Sequence, residues 1–86
     1  MSLIKVAVRK KPISKGRHSV YLDFWPPIPH PRTGKTSRRE FLGLYVYDSP
    51  SDSLDLKHNK EVMHMAQAMR NRRVYELNRA VINAGS

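Results

Sequence analysis

The sequence predicts an α+β fold in which three antiparallel β-strands precede one C-terminal helix (βββα) and one face of the sheet stays open. Three segments of the first half alternate aliphatic with polar or aromatic residues, as strands with two unlike faces do. The second half contains a long stretch without proline or glycine between Pro50 and Gly85, which is typical of a helix. A chain of 86 residues has room for one domain with a modest core.

The first two strands are predicted near residues 3–10 and 17–25. Ile4, Val6 and Val8 share one face of the first strand. In the second strand, β-branched and aromatic residues alternate with polar ones around Val20 and Leu22. The connection is short and contains Gly16, so it is far too brief for a parallel crossover, and the two strands should form an antiparallel hairpin.

The third strand is predicted near residues 38–47. The segment before it, 26–35, is rich in proline, which restricts φ and removes backbone donors. We therefore expect a stiff extended loop that closes at Thr33-Gly34, with Gly34 in a positive-φ conformation.

The helix is predicted near residues 56–82, with a start between Asp55 and Asn59. Its apolar residues recur at helical spacing and should cover the aliphatic face of the sheet. This stripe consists of Val62, Met65, Ala66, Met69, Leu77, Ala80 and Val81. Arg70, Arg72 and Arg73 interrupt it.

The charge is strongly basic and unevenly distributed. The net charge is +9, and residues 1–47 hold ten basic and two acidic side chains, whereas the remainder holds six and five. Such a field favours a polyanion, because neutralised phosphates release their condensed counterions. A generic solubilising surface is the alternative, although solubilising charge is usually mixed in sign along the chain.

The predicted open face of the sheet is basic and aromatic. By alternation it carries Lys5, Arg9, Tyr21, Asp23, Trp25, Arg39, Phe41, Tyr45 and Tyr47. Trp25 lies beside Pro26-Pro27, so its alternative place is a second minor core under the proline-rich loop. For Tyr21 and Tyr45, which charged residues flank, contact with a ligand is the preferred interpretation.

No catalytic, metal or cofactor site is predicted. The chain contains no cysteine and no glycine-rich phosphate loop, and its four histidines are dispersed. Asp23 and Glu40 are better read as ion-pair partners than as a general acid and base. No window approaches a membrane span or a signal peptide, so we expect a cytoplasmic protein without a membrane partner or a small-molecule substrate.

Duplex DNA is the partner that these features predict. Basic residues at the turns could grip phosphates while arginine and tyrosine side chains on the sheet reach base edges in the major groove. The predicted DNA-binding residues are Lys5, Arg9, Lys10, Lys11, Lys15, Arg17, Tyr21, Arg32, Lys35, Arg38, Arg39 and Tyr45. Arg9, Arg38 and Arg39 could contact guanine or equally well clamp phosphates.

An ordered set of segments carries a resemblance to a known family. The segments are Val8-Arg9-Lys10-Lys11-Pro12, Gly16 to Asp23, Pro31 to Lys35, Arg38-Arg39-Glu40 with Leu42-Gly43-Leu44, and His58-Asn59-Lys60-Glu61. From about residue 4 to residue 75 the chain resembles the N-terminal arm-type DNA-binding domain of bacterial tyrosine recombinases, the integrases of phages and conjugative transposons. No single motif among them is diagnostic.

The resemblance implies a role that spacing alone does not show. Such domains pack a three-stranded sheet on a C-terminal helix and bind arm-type sites, distant from the crossover point, in support of DNA recombination and integration. A core-binding domain and a catalytic domain follow in the parent enzymes, and neighbouring integrase subunits are possible partners. The chain would then be a non-catalytic fragment of a longer integrase, because none of its tyrosines has the surroundings of the recombinase nucleophile.

Two alternatives remain open. A double-stranded RNA-binding module also places three strands before a helix, but it begins with a further helix that is missing here and reads shape across minor grooves. A protein-interaction module would use Met63, Met65 and Met69 to dock a partner, although methionines at helical spacing are more often core residues.

Overall fold

The architecture is three strands followed by one helix. A computed structural model describes residues 3–29 and 34–84 of the chain. It contains β1 (Lys5–Ile13), β2 (Arg17–Pro29), β3 (Thr36–Tyr47) and α1 (Ser53–Ala84), and the strands form one antiparallel sheet in the order β1-β2-β3. The predicted α+β, βββα fold is confirmed. Within the described residues, no helix is both long and apolar enough to cross a membrane.

The hairpin between β1 and β2 has the predicted antiparallel pairing. Val8 lies opposite Leu22, and the paired residues run up to Ile13 opposite Arg17. The turn then reverses the chain through two positive-φ residues, Lys15 at 63° and Gly16 at 66°. Glycine adopts this region without strain, and it allows the tight connection between the strands.

A bulge interrupts the pairing of β2 with β3. Val20 lies opposite Leu44, but the next residue, Tyr21, lies opposite Phe41, so β3 has two additional residues at this point. One of them is Gly43, whose φ of 72° suits glycine. Because an even number of residues is inserted, the side chains of β3 keep the predicted alternation between the two faces.

The second connection differs from the extended loop predicted over residues 26–35. β2 continues beyond its predicted end at residue 25 to Pro29, and β3 begins at Thr36, opposite Pro29. β1 pairs with β2 only as far as Trp25. The prolines after Trp25 therefore lie in a part of β2 whose neighbouring strand is β3 alone, where a missing N–H is tolerated. Gly34 has the predicted positive φ, at 72°. Residue Thr33 and the rest of the loop tip lie outside the described residues.

The core lies between the sheet and α1. At one end Val20 and Val46 pack against Val62 and Ala66 of the helix. At the other end a second cluster forms around Leu22, where the partly buried helix residues are Val74 and Leu77, with Val6 and Phe24 from the strands. The aliphatic face of the sheet is therefore the covered face, as predicted.

Among the stripe residues whose side chains the structure describes, two differ from the prediction, while the side chains of Ala80 and Val81 lie outside that part. Met65 and Met69 remain 47% and 40% exposed, while Val62 and Ala66 are buried. The sheet-facing positions of the following turns are taken by Arg70, whose Nε donates to the carbonyl of Val6, and by Arg73, which binds Glu40. Arginine can cover apolar surface with the aliphatic part of its side chain while its guanidinium binds a partner. Arg70 and Arg73, which interrupt the apolar stripe, therefore contact the sheet.

The helix begins earlier than the predicted start between Asp55 and Asn59. Asp52 precedes α1 and its Oδ1 accepts a hydrogen bond of 2.9 Å from the backbone N–H of Asp55. The Asp55 carboxylate in turn accepts from Ser51 N and Oγ. These bonds satisfy backbone donors that a helix start leaves without partners, which moves the first turn to Ser53.

Candidate nucleic-acid interface

The face of the sheet opposite α1 carries most of the predicted binding residues. Side chains of residues that pair across neighbouring strands lie on the same face of the sheet. Arg9, Tyr21 and Phe41 form one such row across the three strands. Ala7, Asp23 and Arg39 form the next row on the same face. We call this surface the open face. By register the predicted residues on it are Lys5, Arg9, Lys11, Arg17, Tyr21, Arg39 and Tyr45.

Three arginines of the interface lie over aromatic rings. The guanidinium carbon of Arg39 lies 5.1 Å from the ring centroid of Tyr21, and that of Arg17 lies 5.1 Å from Tyr45. A third pair joins Arg38 to Trp25 at 5.2 Å. Each is a cation–π contact, which orients the guanidinium without using its N–H donors.

Tyr21 lies beneath other side chains of the open face. Only 7% of Tyr21 is exposed, because Phe41 packs against its ring at 5.0 Å between centroids and Arg39 lies over it. Phe41 itself is 50% exposed. Arg39 and Phe41 therefore form the outer surface at this point, and Tyr21 supports them.

Tyr45 belongs to an aromatic cluster at the end of β3. Its ring lies 5.5 Å from that of Tyr47 and 4.8 Å from that of His58, a residue of α1. A side-chain hydrogen bond with Tyr45 raises the pKa of Tyr47 above its ordinary value, so the Tyr47 phenol stays protonated at neutral pH. Tyr47 thus contributes a hydroxyl group rather than a negative charge to this cluster.

Asp23 is the acidic group of the open face. Its Oδ2 accepts a hydrogen bond of 2.8 Å from Arg9 Nε, and its Oδ1 lies 3.7 Å from Arg38 Nη2. Glu40 lies on the other face of the sheet and binds both Nε and Nη2 of Arg73. The prediction that the two carboxylates serve as ion-pair partners is confirmed. Glu40 holds the pKa of Arg73 above its ordinary value through these hydrogen bonds.

The remaining predicted cations lie at the two ends of the strands. Lys10, Lys11 and Lys15 are exposed on the first hairpin, and Lys10 faces the helix side of the sheet because it pairs with Val20. Lys35 is exposed at the opposite end, just before β3. Arg32 lies outside the described residues. Cations thus flank the open face at both ends of the strands.

No metal site is found in the described part of the chain. No group of three or more His, Asp and Glu side chains there could hold a metal ion. His58 Nε2 lies 3.0 Å from the carbonyl of Tyr45, and His18 lies 3.7 Å from Asp48. His58 and His18 therefore each contact another residue of the protein, and the two histidines lie on different elements.

Two exposed aromatic residues are missing from the predicted binding set. Trp25 is 59% exposed, so it does not lie in a minor core, and Phe41 is 50% exposed. Alternation places both on the open face. The exposure could not be read from alternation, because it depends on which neighbouring side chains cover each ring.

Comparisons with known proteins gave one result. A family model described as an arm DNA-binding domain matches residues 6–84. No curated protein and no solved structure matched the chain.

Proposed function

Because the chain belongs to the arm DNA-binding domain family and is therefore a DNA-binding domain, we propose that it recognises arm-type sites of an integrase by laying its open face in the major groove. The observation that carries this proposal is the set of three arginines that lie over aromatic rings, Arg17, Arg38 and Arg39. Such stacked guanidiniums are held away from the backbone and can donate to base edges.

The dimensions of the sheet suit this mode of binding. Neighbouring strands lie about 4.8 Å apart, so three strands span about 10 Å between the outer backbones. A major groove about 12 Å wide admits a ribbon of this size, with the side chains of the open face directed at the bases. α1 covers the opposite face and would point away from the duplex.

The cations at the strand ends are proposed to contact phosphates. Lys11 and Lys15 extend from the first hairpin and Lys35 stands at the other end of the sheet. Phosphate contacts set the position of a protein on the duplex but carry little sequence information. Sequence preference would then come from Arg9, Arg38 and Arg39, whose guanidiniums contact Asp23, Trp25 and Tyr21 of the open face.

The biological role follows from the resemblance to integrases. We assign the chain to a tyrosine recombinase of a phage or conjugative transposon, as a fragment that binds DNA during recombination and integration. Catalysis would belong to another part of that longer protein, and binding to bacterial DNA would place it in the cytoplasm.

The outer face of α1 is a second candidate surface. Met65 and Met69 are 47% and 40% exposed on it, although methionines at such spacing are more often buried. If the domain assembles with neighbouring integrase subunits, this face is available while the sheet holds DNA. Duplex RNA binding and pure protein interaction are the competing functions.

Competition at fixed salt tests the proposal. The domain is titrated with a duplex selected from a randomised DNA library, and equal lengths of random duplex DNA and duplex RNA compete for it. We expect the selected DNA to bind most tightly, with chemical shifts that change around Arg39 and Phe41 by NMR. Tighter binding of RNA, or shifts confined to α1 near Met65, would contradict the proposal.

A further inference from the structure

Asp23 lies in the middle of the cationic open face. It belongs to the central strand, with Ala7 opposite it on β1 and Arg39 opposite it on β3. Its side chain is only 15% exposed, while the arginines near its two oxygens, Arg9 and Arg38, are 58% and 56% exposed. The carboxylate therefore lies below the surface and the guanidiniums above it.

The contact between Asp23 and Arg9 leaves the outer donors of this arginine unused by the carboxylate. Arg9 binds Asp23 Oδ2 through Nε at 2.8 Å, so its two Nη groups do not take part in that bond. Two parallel N–H donors are what arginine uses to bind the O6 and N7 atoms of guanine. Asp23 thus fixes the stem of Arg9 and leaves the end of the side chain for a base.

The second oxygen of Asp23, Oδ1, is buried. Among the described residues it has no hydrogen-bond partner, and Arg38 Nη2 lies 3.7 Å away, too far for a hydrogen bond. A buried acceptor without a partner is costly, and more so when it is charged. A small movement of Arg38 would satisfy Oδ1, and that movement draws the guanidinium toward the centre of the open face.

We infer that Asp23 is a positioning residue that determines sequence preference, an inference that rests on the proposed DNA-binding face. It holds Arg9 and Arg38 in orientations that suit base edges, which lowers the entropy lost on binding. Its negative charge also disfavours phosphate at the middle of the sheet. Phosphates are thereby directed to the lysines at the strand ends, and bases to the arginines.

The test compares Asp23→Asn with the unaltered domain on two probes. One probe is a duplex selected from a randomised library by the unaltered domain, and the other is random duplex of the same length. We expect Asp23→Asn to bind random duplex more tightly and to reduce the ratio of selected to random affinity by roughly fivefold or more, within the range of one good base contact. An unchanged ratio would overturn the inference.

Glu76→Gln is the matched control for net charge. It removes one carboxylate from α1, where Glu76 binds Arg72 and Arg73 on the covered side of the molecule. This variant should strengthen binding to both probes slightly and leave their ratio unchanged. If it lowers the ratio as much as Asp23→Asn does, overall charge explains the effect and the inference is wrong.

Paired lysine substitutions keep the test decisive if Asp23→Asn unfolds. The Arg9→Lys and Arg38→Lys variant retains both charges but lacks the planar donors, so the affinity ratio should fall in the same way. Where Asp23→Asn folds, adding it to this background should change the ratio no further, because the substitutions act through one arrangement. A further fall in the ratio, or no fall in the lysine variant, would contradict the inference. Failure of the proposed function is distinguishable, because the unaltered domain would then select no duplex at all.

Discussion

Asn59 of α1 binds the backbone of Tyr47 in β3 as a neighbouring strand would. Tyr47 N donates to Asn59 Oδ1 at 2.7 Å, and Asn59 Nδ2 donates to the carbonyl of Tyr47 at 3.0 Å. At the other edge of the sheet Asn78 does the same with Ile4, at 2.6 and 3.0 Å. One helix therefore satisfies the backbone of one residue at each edge of the sheet, which removes those groups from pairing with other chains.

Asn78→Ala should destabilise the domain markedly. Asn78 is 3% exposed and also donates to the carbonyl of Val74, so the substitution removes three bonds and leaves partly buried backbone groups of Ile4 without these partners. The expected loss in the free energy of unfolding is about 1–3 kcal/mol, measured by urea denaturation. Asn71→Ala, at an exposed position of the same helix, should change it by less than about 0.5 kcal/mol.

The two asparagines also show where prediction from sequence stops. Alternation predicted which residues of each strand face the helix, because the period of a strand is a local property. It could not predict that Asn78 or Arg70 turns toward the sheet, since their partners are the backbone groups of Ile4 and Val6, which are distant in the sequence. For the same reason the sequence pattern places Met65 and Met69 in the stripe. Their apolar character can be read from the sequence, whereas the polar contacts by which Arg70 and Arg73 take the sheet-facing positions cannot.

The residues of the open face could be predicted from the sequence, but how deeply each side chain is buried could not. Arg39 and Tyr21 could both be placed on it by alternation. Their stacking, which buries Tyr21 and leaves Arg39 outermost, depends on the register of β2 against β3, and that register includes the bulge at Gly43. The ionic bond between Asp23 and Arg9 likewise depends on the pairing of two strands.

Ala66→Leu should overpack the core. Ala66 is fully buried between α1 and the sheet, where it packs with Val20 and Val46, so added carbon atoms have no free volume to enter. We expect a loss of about 1–3 kcal/mol in the free energy of unfolding. Ala68→Leu adds the same atoms at an exposed position of α1 and should be nearly neutral. Equal stability of the two variants would contradict the core assignment of Ala66.

Glu76 should contribute stability that is lost in acid. Hydrogen bonds from Arg72, and secondarily from Arg73, hold the pKa of Glu76 below its ordinary value. A folded-state pKa below the unfolded one gives stabilisation that is complete above the unfolded pKa of about 4.3 and disappears as pH falls through the folded-state pKa. The urea midpoint of Glu76→Gln should therefore lie below that of the unaltered domain at pH 7 and approach it at pH 3.

Glu61→Gln controls for the loss of one negative charge on the same helix. If Glu61→Gln and Glu76→Gln show the same pH dependence, the contacts of Glu76 with Arg72 and Arg73 do not stabilise the fold.

Replacing Lys11 and Lys15 with Ala should weaken DNA binding without regard to sequence. Both lysines are exposed on the first hairpin, where the proposed contacts are with phosphates. Each lost phosphate contact should reduce the slope of log affinity against log salt by about 0.9. Lys57 and Lys60 on α1 provide a control pair with the same loss of charge. An equal reduction in slope for the two pairs would argue that total charge, rather than contact at the hairpin, governs binding.

Arg39→Ala should instead lower affinity mainly for the selected duplex. Its guanidinium lies over Tyr21 on the open face, and we propose that it donates to a base edge. We expect a loss of about 1–3 kcal/mol on the selected duplex, measured by titration at one salt concentration, and a much smaller loss on random duplex. Arg72→Ala removes the same charge from a side chain that is 83% exposed on α1, and it should affect the two duplexes alike. The urea midpoint of each variant checks for a general loss of structure. An equal loss on both duplexes for Arg39→Ala would assign Arg39 to phosphate binding and leave base reading to Arg9 and Arg38.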